Sequence, residues 1–280
     1  MSTNVLVLGG SRHIGYHAAV RFLESGATVT FLLRNTAVFE NDTVVQKYIS
    51  TNKARLVKGD ALVRSDVQNV WSTATSDSPV NVVLCTIGFS GSPSFSILKG
   101  IQINPPNLVT AALLNLFATM PSSTREISPQ IVVVSSTGVN RKSRAAAPIP
   151  LRPLYGYLIQ KPLEDKLGAE RVIHSLGGWD WDPTVPEPTE HILDPNWQAM
   201  DGMPKPGTLK NAVIIRPALL HDGECLADKA PGGKAPYRVG EGEVGGWSVS
   251  RRDVGHFIYE LVTDPAQWAK FNNKQVSIAY

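Results

Sequence analysis

The segment "NVLVLGGSRHIGYHAAVRFLESG" (residues 4–26) sets the class of fold. Its apolar opening, "NVLVL", reads as a strand and breaks at Gly9 and Gly10. From Ile14, apolar residues recur at Ala18 and Phe22, the spacing of one helical face. Gly26 follows where a helix of this length ends, a position that glycine favours. The unit is therefore strand, tight turn, helix. Gly9 permits the turn, and Gly15, in the first helical turn, permits close packing of helix on strand.

Outward from this unit the pattern repeats. Short β-branched runs at 28–33 ("TVTFLL"), 54–60 ("ARLVKGD"), 80–88 ("VNVVLCTIG"), 131–138 ("IVVVSSTG"), 212–217 ("AVIIRP") and 275–280 ("QVSIAY") read as strands. The 80–88 run is apolar through most of its length, as in a strand covered on both faces. Pro105 and Pro106 suit the first turn of a helix that "NLVTAALLNLFATM" continues. Strands alternating with helices predict an α/β fold: a Rossmann-like, doubly wound parallel sheet with right-handed crossovers, one domain over residues 1–280. Two stretches break the rhythm. Residues 174–210 carry Trp179, Trp181 and Trp197 among prolines and acids, and residues 221–249 are rich in glycine. Loops of such length are usually functional or disordered, irregular surface insertions being the alternative reading, and ligands of open α/β sheets bind outside the carboxyl ends of the strands. Both stretches are therefore expected to form a small C-terminal substrate-binding cap, with the tryptophans exposed.

Composition narrows the class. The 280 residues are 42% hydrophobic and 18% charged, with a net charge of +3. That charge is too small to argue for nucleic acid or an anionic membrane. No apolar run approaches the roughly 20 residues of a membrane span, and the opening "MSTNVLVLGG" lacks the pattern of a signal peptide. Two cysteines, Cys85 and Cys225, make no disulfide framework. A cytoplasmic protein is the expectation. His13 and His17 sit four apart without a third ligand nearby, so no metal is expected.

The turn itself suggests a ligand. A helix N-terminus offers N–H groups and a partial positive charge to a pyrophosphate. In dinucleotide-binding folds an acid about 20 residues on takes the ribose hydroxyl of NAD. Here "FLLRN" places Arg34 at that point, and Arg12 leaves the turn nearby. An acid would repel a 2′-phosphate, whereas an arginine holds it through charge-assisted hydrogen bonds. Arg12 and Arg34 are read as two sides of one clamp, and the expected cofactor is NADP.

"GGSRHIG" followed by "LLRN" resembles the short-chain dehydrogenase/reductase superfamily in its extended and atypical branches, where G-G-T-R-F-I-G with an arginine after the second strand is a familiar form. "KGD" (58–60), "TIG" (86–88), "RPALL" (216–220) and "SRRDVGHFI" (250–258) agree in order, the last opening with a capping pattern. The resemblance implies cofactor contacts from Gly9, Gly10, Ser11, Arg12, His13, Ile14, Gly15, Arg34, Asp60, Ala61, Thr86, Ile87, Gly88, Lys161 and Pro217. It also implies a catalytic serine, tyrosine and lysine, which map by motif onto Ser136, Tyr157 and Lys161. Tyr157 and Lys161 are four apart and share a helical face. A phenol with a pKa near 10 needs a neighbouring ammonium to exchange protons near neutrality. Tyr157 would then protonate a substrate oxygen that Ser136 holds. Ser135 or Thr137 can replace Ser136, and Tyr155 can replace Tyr157. Pro162 threatens a kink beside the lysine. "RKSR" (141–144) reads as a solvated charge run.

The expected activity is NADP-dependent reduction of a carbonyl or activated C=C bond in a small organic molecule, aromatic or terpenoid-like, by a monomer or homodimer. A non-catalytic NADP-binding regulator (NmrA-like) and an NAD-dependent epimerase or dehydratase are the alternatives.

Overall fold

In a computed structural model, the described residues are 3–88, 94–96, 100–102, 104–139, 160–230 and 236–280. The central sheet holds β1 (Asn4–Leu8), β2 (Thr28–Leu33), β3 (Ala54–Lys58), β4 (Val82–Cys85), β7 (Gln130–Val134), β8 (Ala212–Pro217), β10 (Arg238–Glu241) and β12 (Lys274–Ala279). Its order is β10-β12-β8-β7-β4-β1-β2-β3. All neighbours pair in parallel except β10, which lies antiparallel to β12 at one edge. A short parallel ribbon, β9 (Leu219–His221) with β11 (Ser248–Ser250), continues beyond β8. β5 (Ser94–Ser96) and β6 (Gly100–Gln102) form a separate hairpin-like pair.

Period-two alternation puts the strands between two helical layers. Val5 and Val7 face one layer, and Leu6 and Leu8 the other. The first layer holds α1 (His13–Glu24), α2 (Thr43–Ile49), α7 (Arg251–Thr263) and α8 (Pro265–Phe271), represented in the core by Phe22, Val45, Phe257 and Phe271. The second holds α3 (Arg64–Ala74), α4 (Leu108–Ala118) and α6 (Gln160–Gly177), represented by Trp71, Leu113 and Val172. α5 (Ser122–Ile127) leads from α4 into β7. Fully buried Trp71 donates its indole N–H to the Leu116 carbonyl at 3.1 Å, tying α3 to α4. α7 approaches α1 at Gly255, where a Cβ would stand 2.8 Å from that of His17.

The doubly wound sheet agrees with the sequence, and two details correct it. α4 starts at Leu108, two residues beyond Pro106. Its first N–H groups are taken by a distant residue: the Asp165 carboxylate accepts from Val109 and Thr110 at 2.8 and 2.9 Å. Trp197 is 8% exposed and belongs to the core beside α4, while Trp179 and Trp181 are half-buried. Apolar rings bury wherever a surface is available, and residues 178–210 lie against the outer sides of α4 and α6. The glycine-rich stretch 221–249 contributes β10 to the sheet edge and part of the β9–β11 ribbon.

Candidate active site

β1 and β2 pair in register, Leu8 opposite Leu32, and end at the same edge of the sheet. Past β1, Gly9 adopts φ +89°, a backbone that L side chains rarely take. A Cβ on Gly9 would lie 2.6 Å from the Ile87 nitrogen, and one on Gly15 would lie 2.2 Å from the Thr86 hydroxyl oxygen. That hydroxyl donates to the Gly9 carbonyl at 3.0 Å. The turn after β1, the first turn of α1 and the segment after β4 therefore interlock with no room for side chains. Arg12, the residue before α1, makes no side-chain cap.

Arg12 precedes the helix with extended backbone, and its side chain is exposed. Arg34, the residue after β2, is also exposed. Gly10 is buried against Val7 and Phe31, and Ile14 is in the core. Ser11 is half-buried. His13 opens the helix at φ 58°, with Nδ1 3.6 Å from the Asp222 carboxylate, which also accepts from Arg251 at 2.9 Å. Partial burial lowers the pKa of His13, as does the Arg251 charge, and Asp222 opposes both. Asp60 closes its own turn by accepting from Leu62 N–H at 3.0 Å. The Ala61 carbonyl accepts from Asn115 at 2.9 Å. Thr86, Ile87 and Gly88 are half-buried at the end of β4.

Past β7, the three hydroxyls separate. Ser135 is buried and donates to Glu170 Oε1 at 2.6 Å. Ser136 is half-buried and bonds the Thr137 carbonyl at 2.9 Å, while Thr137 bonds the Pro217 carbonyl. Glu170, whose side chain is fully buried, meets Arg216 through two N–H groups, with Nε to Oε1 at 2.8 Å. Burial lowers the pKa of Arg216, but Glu170 and, more weakly, Glu243 raise it above the ordinary value. Gln275 reaches both Glu170 and Nε2 of His174, whose Nδ1 lies 2.9 Å from the Asp180 carbonyl. Burial lowers the pKa of His174, consistent with a neutral ring donating from Nδ1.

The two lysines of α6 differ. Lys161, in the first described turn, is exposed and holds Glu164 at 2.8 Å. Lys166 sends its ammonium to the ends of β4 and β7, donating to the carbonyls of Ile87 at 2.8 Å and Val134 at 2.6 Å. Burial lowers its pKa against the pull of Cys85, Asp165 and Glu170. The same burial pushes the neighbouring Cys85 thiol up to about 11. Lys166, Glu170 and Asp165 carry no motif that marks them in the chain. A helical spacing of four between Lys166 and Glu170 is the one signal available. Tyr155, Tyr157 and "RKSR" (141–144) lie outside the described residues. Pro162 is buried near the start of α6. Val139, Leu163 and Leu167 line a hollow of about 250 Å³ with Pro186 and Pro188 of the first long stretch.

No family model matches the chain. Reductase pytE of Aspergillus terreus is 26% identical over 254 residues, which are 85% of this chain and 84% of that protein. Among solved structures, L-sorbose reductase from Gluconobacter frateurii, complexed with NADPH and L-sorbose, superposes with a TM-score of 0.62 at 16% identity, over 100% of this chain and 96% of that one. The anaerobillin reductase ChuY of Escherichia coli O157:H7 gives 0.57 at 16% identity, over 98% and 95%. A short-chain dehydrogenase from Streptomyces avermitilis gives 0.59 at 11% identity, over 99% and 88%.

Proposed function

We propose, for a chain with the Rossmann fold of the short-chain dehydrogenase/reductase superfamily, an NADP-dependent reductase of a carbonyl or activated C=C bond in a small organic molecule. One observation carries the reading. Gly9, Gly15 and Thr86 interlock at the α1 N-terminus, where the side chain of Arg12 makes no cap, and exposed Arg12 and Arg34 follow two adjacent strands. The donor set fits a dinucleotide with an added phosphate. Ser11, Ile14, Asp60, Ala61, Ile87, Gly88 and Pro217 complete the proposed binding edge. The name of Reductase pytE and the NADPH of the sorbose reductase complex support the assignment.

When bound, NADPH supplies a hydride to the substrate. The chain's residues manage the proton and the geometry. Tyr157 gives a proton to the substrate oxygen, or to the carbon that ends a C=C reduction, and Ser136 holds the substrate beside it. An ammonium must favour the phenolate form of Tyr157. The charge of Lys161 is engaged by Glu164, whereas Lys166 stands at the strand ends where the edge residues converge. We read Lys166 as the lysine that takes this electrostatic part, in place of Lys161, which the motif marks. Ser135 supports its neighbour by fixing the backbone turn on Glu170. The stretches 174–210 and 221–249 form the substrate cap in this reading, the first through Pro186 and Pro188 beside the hollow.

The test is NADPH oxidation across a panel of aldehydes, ketones and enones. Turnover that disappears in Tyr157→Phe, with NADP+ binding intact, is the expected result. Turnover kept in that variant removes the proton-donor role.

A further inference from the structure

Trp247 is 59% exposed and Leu219 is 41% exposed. They are neighbours at the β9–β11 ribbon, where the Leu219 N–H donates to the Trp247 carbonyl at 3.1 Å. Single exposed apolar residues are common, but here two large ones stand together at one ribbon. The backbone is built to keep Trp247 there. Gly245 and Gly246 both have positive φ, at 67° and 88°. A Cβ on Gly246 would stand 1.9 Å from the Tyr280 carbonyl oxygen, so the chain passes flush beneath the end of β12. On the other side of Trp247, the Ser248 carbonyl accepts from Tyr280 N–H at 3.0 Å. The tryptophan is thus fixed in backbone, with its side chain largely exposed.

Its place is continuous with the proposed site. Leu219 is two residues past Pro217, whose carbonyl accepts from Thr137 N–H at 2.9 Å. Glu243, in the segment between β10 and β11 that also holds Trp247, lies within electrostatic reach of Arg216, the partner of the Glu170 that holds Ser135. The tryptophans of the first long stretch do not serve this edge equally, since Trp197 is in the core.

We infer that Trp247, with Leu219 beside it, is a wall of the substrate site and selects substrates carrying a planar, apolar ring next to the reducible group. The inference rests on the reductase reading. A ring on a fixed backbone offers offset or edge-on aromatic contact, with only its two side-chain torsions left to order.

The experiment measures equilibrium binding of 2-acetonaphthone and of butanone to the NADP+-saturated chain by calorimetry. It compares the wild type with Trp247→Ala, Trp247→Phe and, as an exposed apolar control on α2, Val44→Ala. Thermal midpoints with and without NADP+, and sedimentation, accompany each variant. The expected result is acetonaphthone binding about tenfold weaker in Trp247→Ala, within about threefold in Trp247→Phe and unchanged in Val44→Ala. The NADP+ shift should be equal in all, and butanone binding should not respond. Equal acetonaphthone binding in Trp247→Ala, or none in the wild type, overturns the inference. So does a dimer that Trp247→Ala dissociates without loss of ketone binding, since a second copy would then be the occupant. A wild type whose midpoint NADP+ does not raise overturns the reductase reading first, and this inference with it.

Discussion

The two halves of the sheet's carboxyl edge are built by opposite means. At β1 and β2 the candidate site is local: a glycine turn, the helix that follows it and one arginine past the next strand, with Thr86 as the principal outside partner. At β7 and β8 it is assembled from afar. Ser135 depends on Glu170, Glu170 on Arg216, and Gln275 joins them to His174. Local construction leaves the arginines exposed and replaceable. Long-range construction puts charge inside the protein, where the loss of one partner strands the other. The first half should therefore lose binding when altered, and the second should lose stability.

Glu170→Ala is the strongest challenge to that contrast. It leaves Arg216 buried without its carboxylate and should cost about 3–5 kcal/mol in denaturant unfolding. Arg12→Ala and Arg34→Ala should each stay within about 0.5 kcal/mol, as exposed substitutions do. A Glu170→Ala loss as small as theirs would erase the distinction. Next comes the comparison of the two lysines. Lys166→Met should lower turnover about 100-fold or more, the scale of acid–base assistance, and Lys161→Met less than about threefold. The reverse order would return the role to Lys161.

Gly15→Ala probes the one place where the local half is tightly packed. Its methyl would meet Thr86 and the Gly9 carbonyl, at a cost of about 1–3 kcal/mol. NADP+ binding should fall with it, and Gly15→Ala, Thr86→Ser should not restore either. The smallest expected effect is in acid. Burial, with Arg252, His13 and Arg21 nearby, lowers the pKa of His17 to about 4, against the weaker pull of Asp222. The folded ring stays neutral where the unfolded one takes a proton, so stability falls as pH drops from about 6.5 toward 4. His17→Gln should flatten that part of the stability curve, which chemical unfolding at several pH values reads directly.

The same contrast explains what could be read in advance. β2 and β8 have the bounds that their β-branched runs suggest, 28–33 and 212–217. Gly26 has φ +88° just beyond α1, and Ser250 caps α7 by accepting from Asp253 N–H at 2.9 Å. These signals act over a few residues. The local sequence points to Pro105 and Pro106 as the start of α4, whereas the residue that caps it, Asp165, is more than 50 residues away in sequence. Lys166 is silent in the sequence for the same reason: its partners are carbonyls on β7 and beyond β4, which no spacing within α6 reveals. The burial of the tryptophans is not legible either, because aromatic content says nothing about which ring finds a core. Trp197 did, and Trp247, in the other stretch, stayed in water.

The central claim is that the ends of β1 and β2 form a site for a phosphate-bearing dinucleotide. The most direct measurement is the thermal unfolding midpoint of the chain alone, with NADP+, and with NAD+ at equal concentration, because a ligand bound only by the folded state raises it. A clear rise with NADP+ and little with NAD+, the difference vanishing in Arg12→Ala, Arg34→Ala, is the result this account predicts. An equal rise with both, a rise with NAD+ alone, or none with either would contradict it.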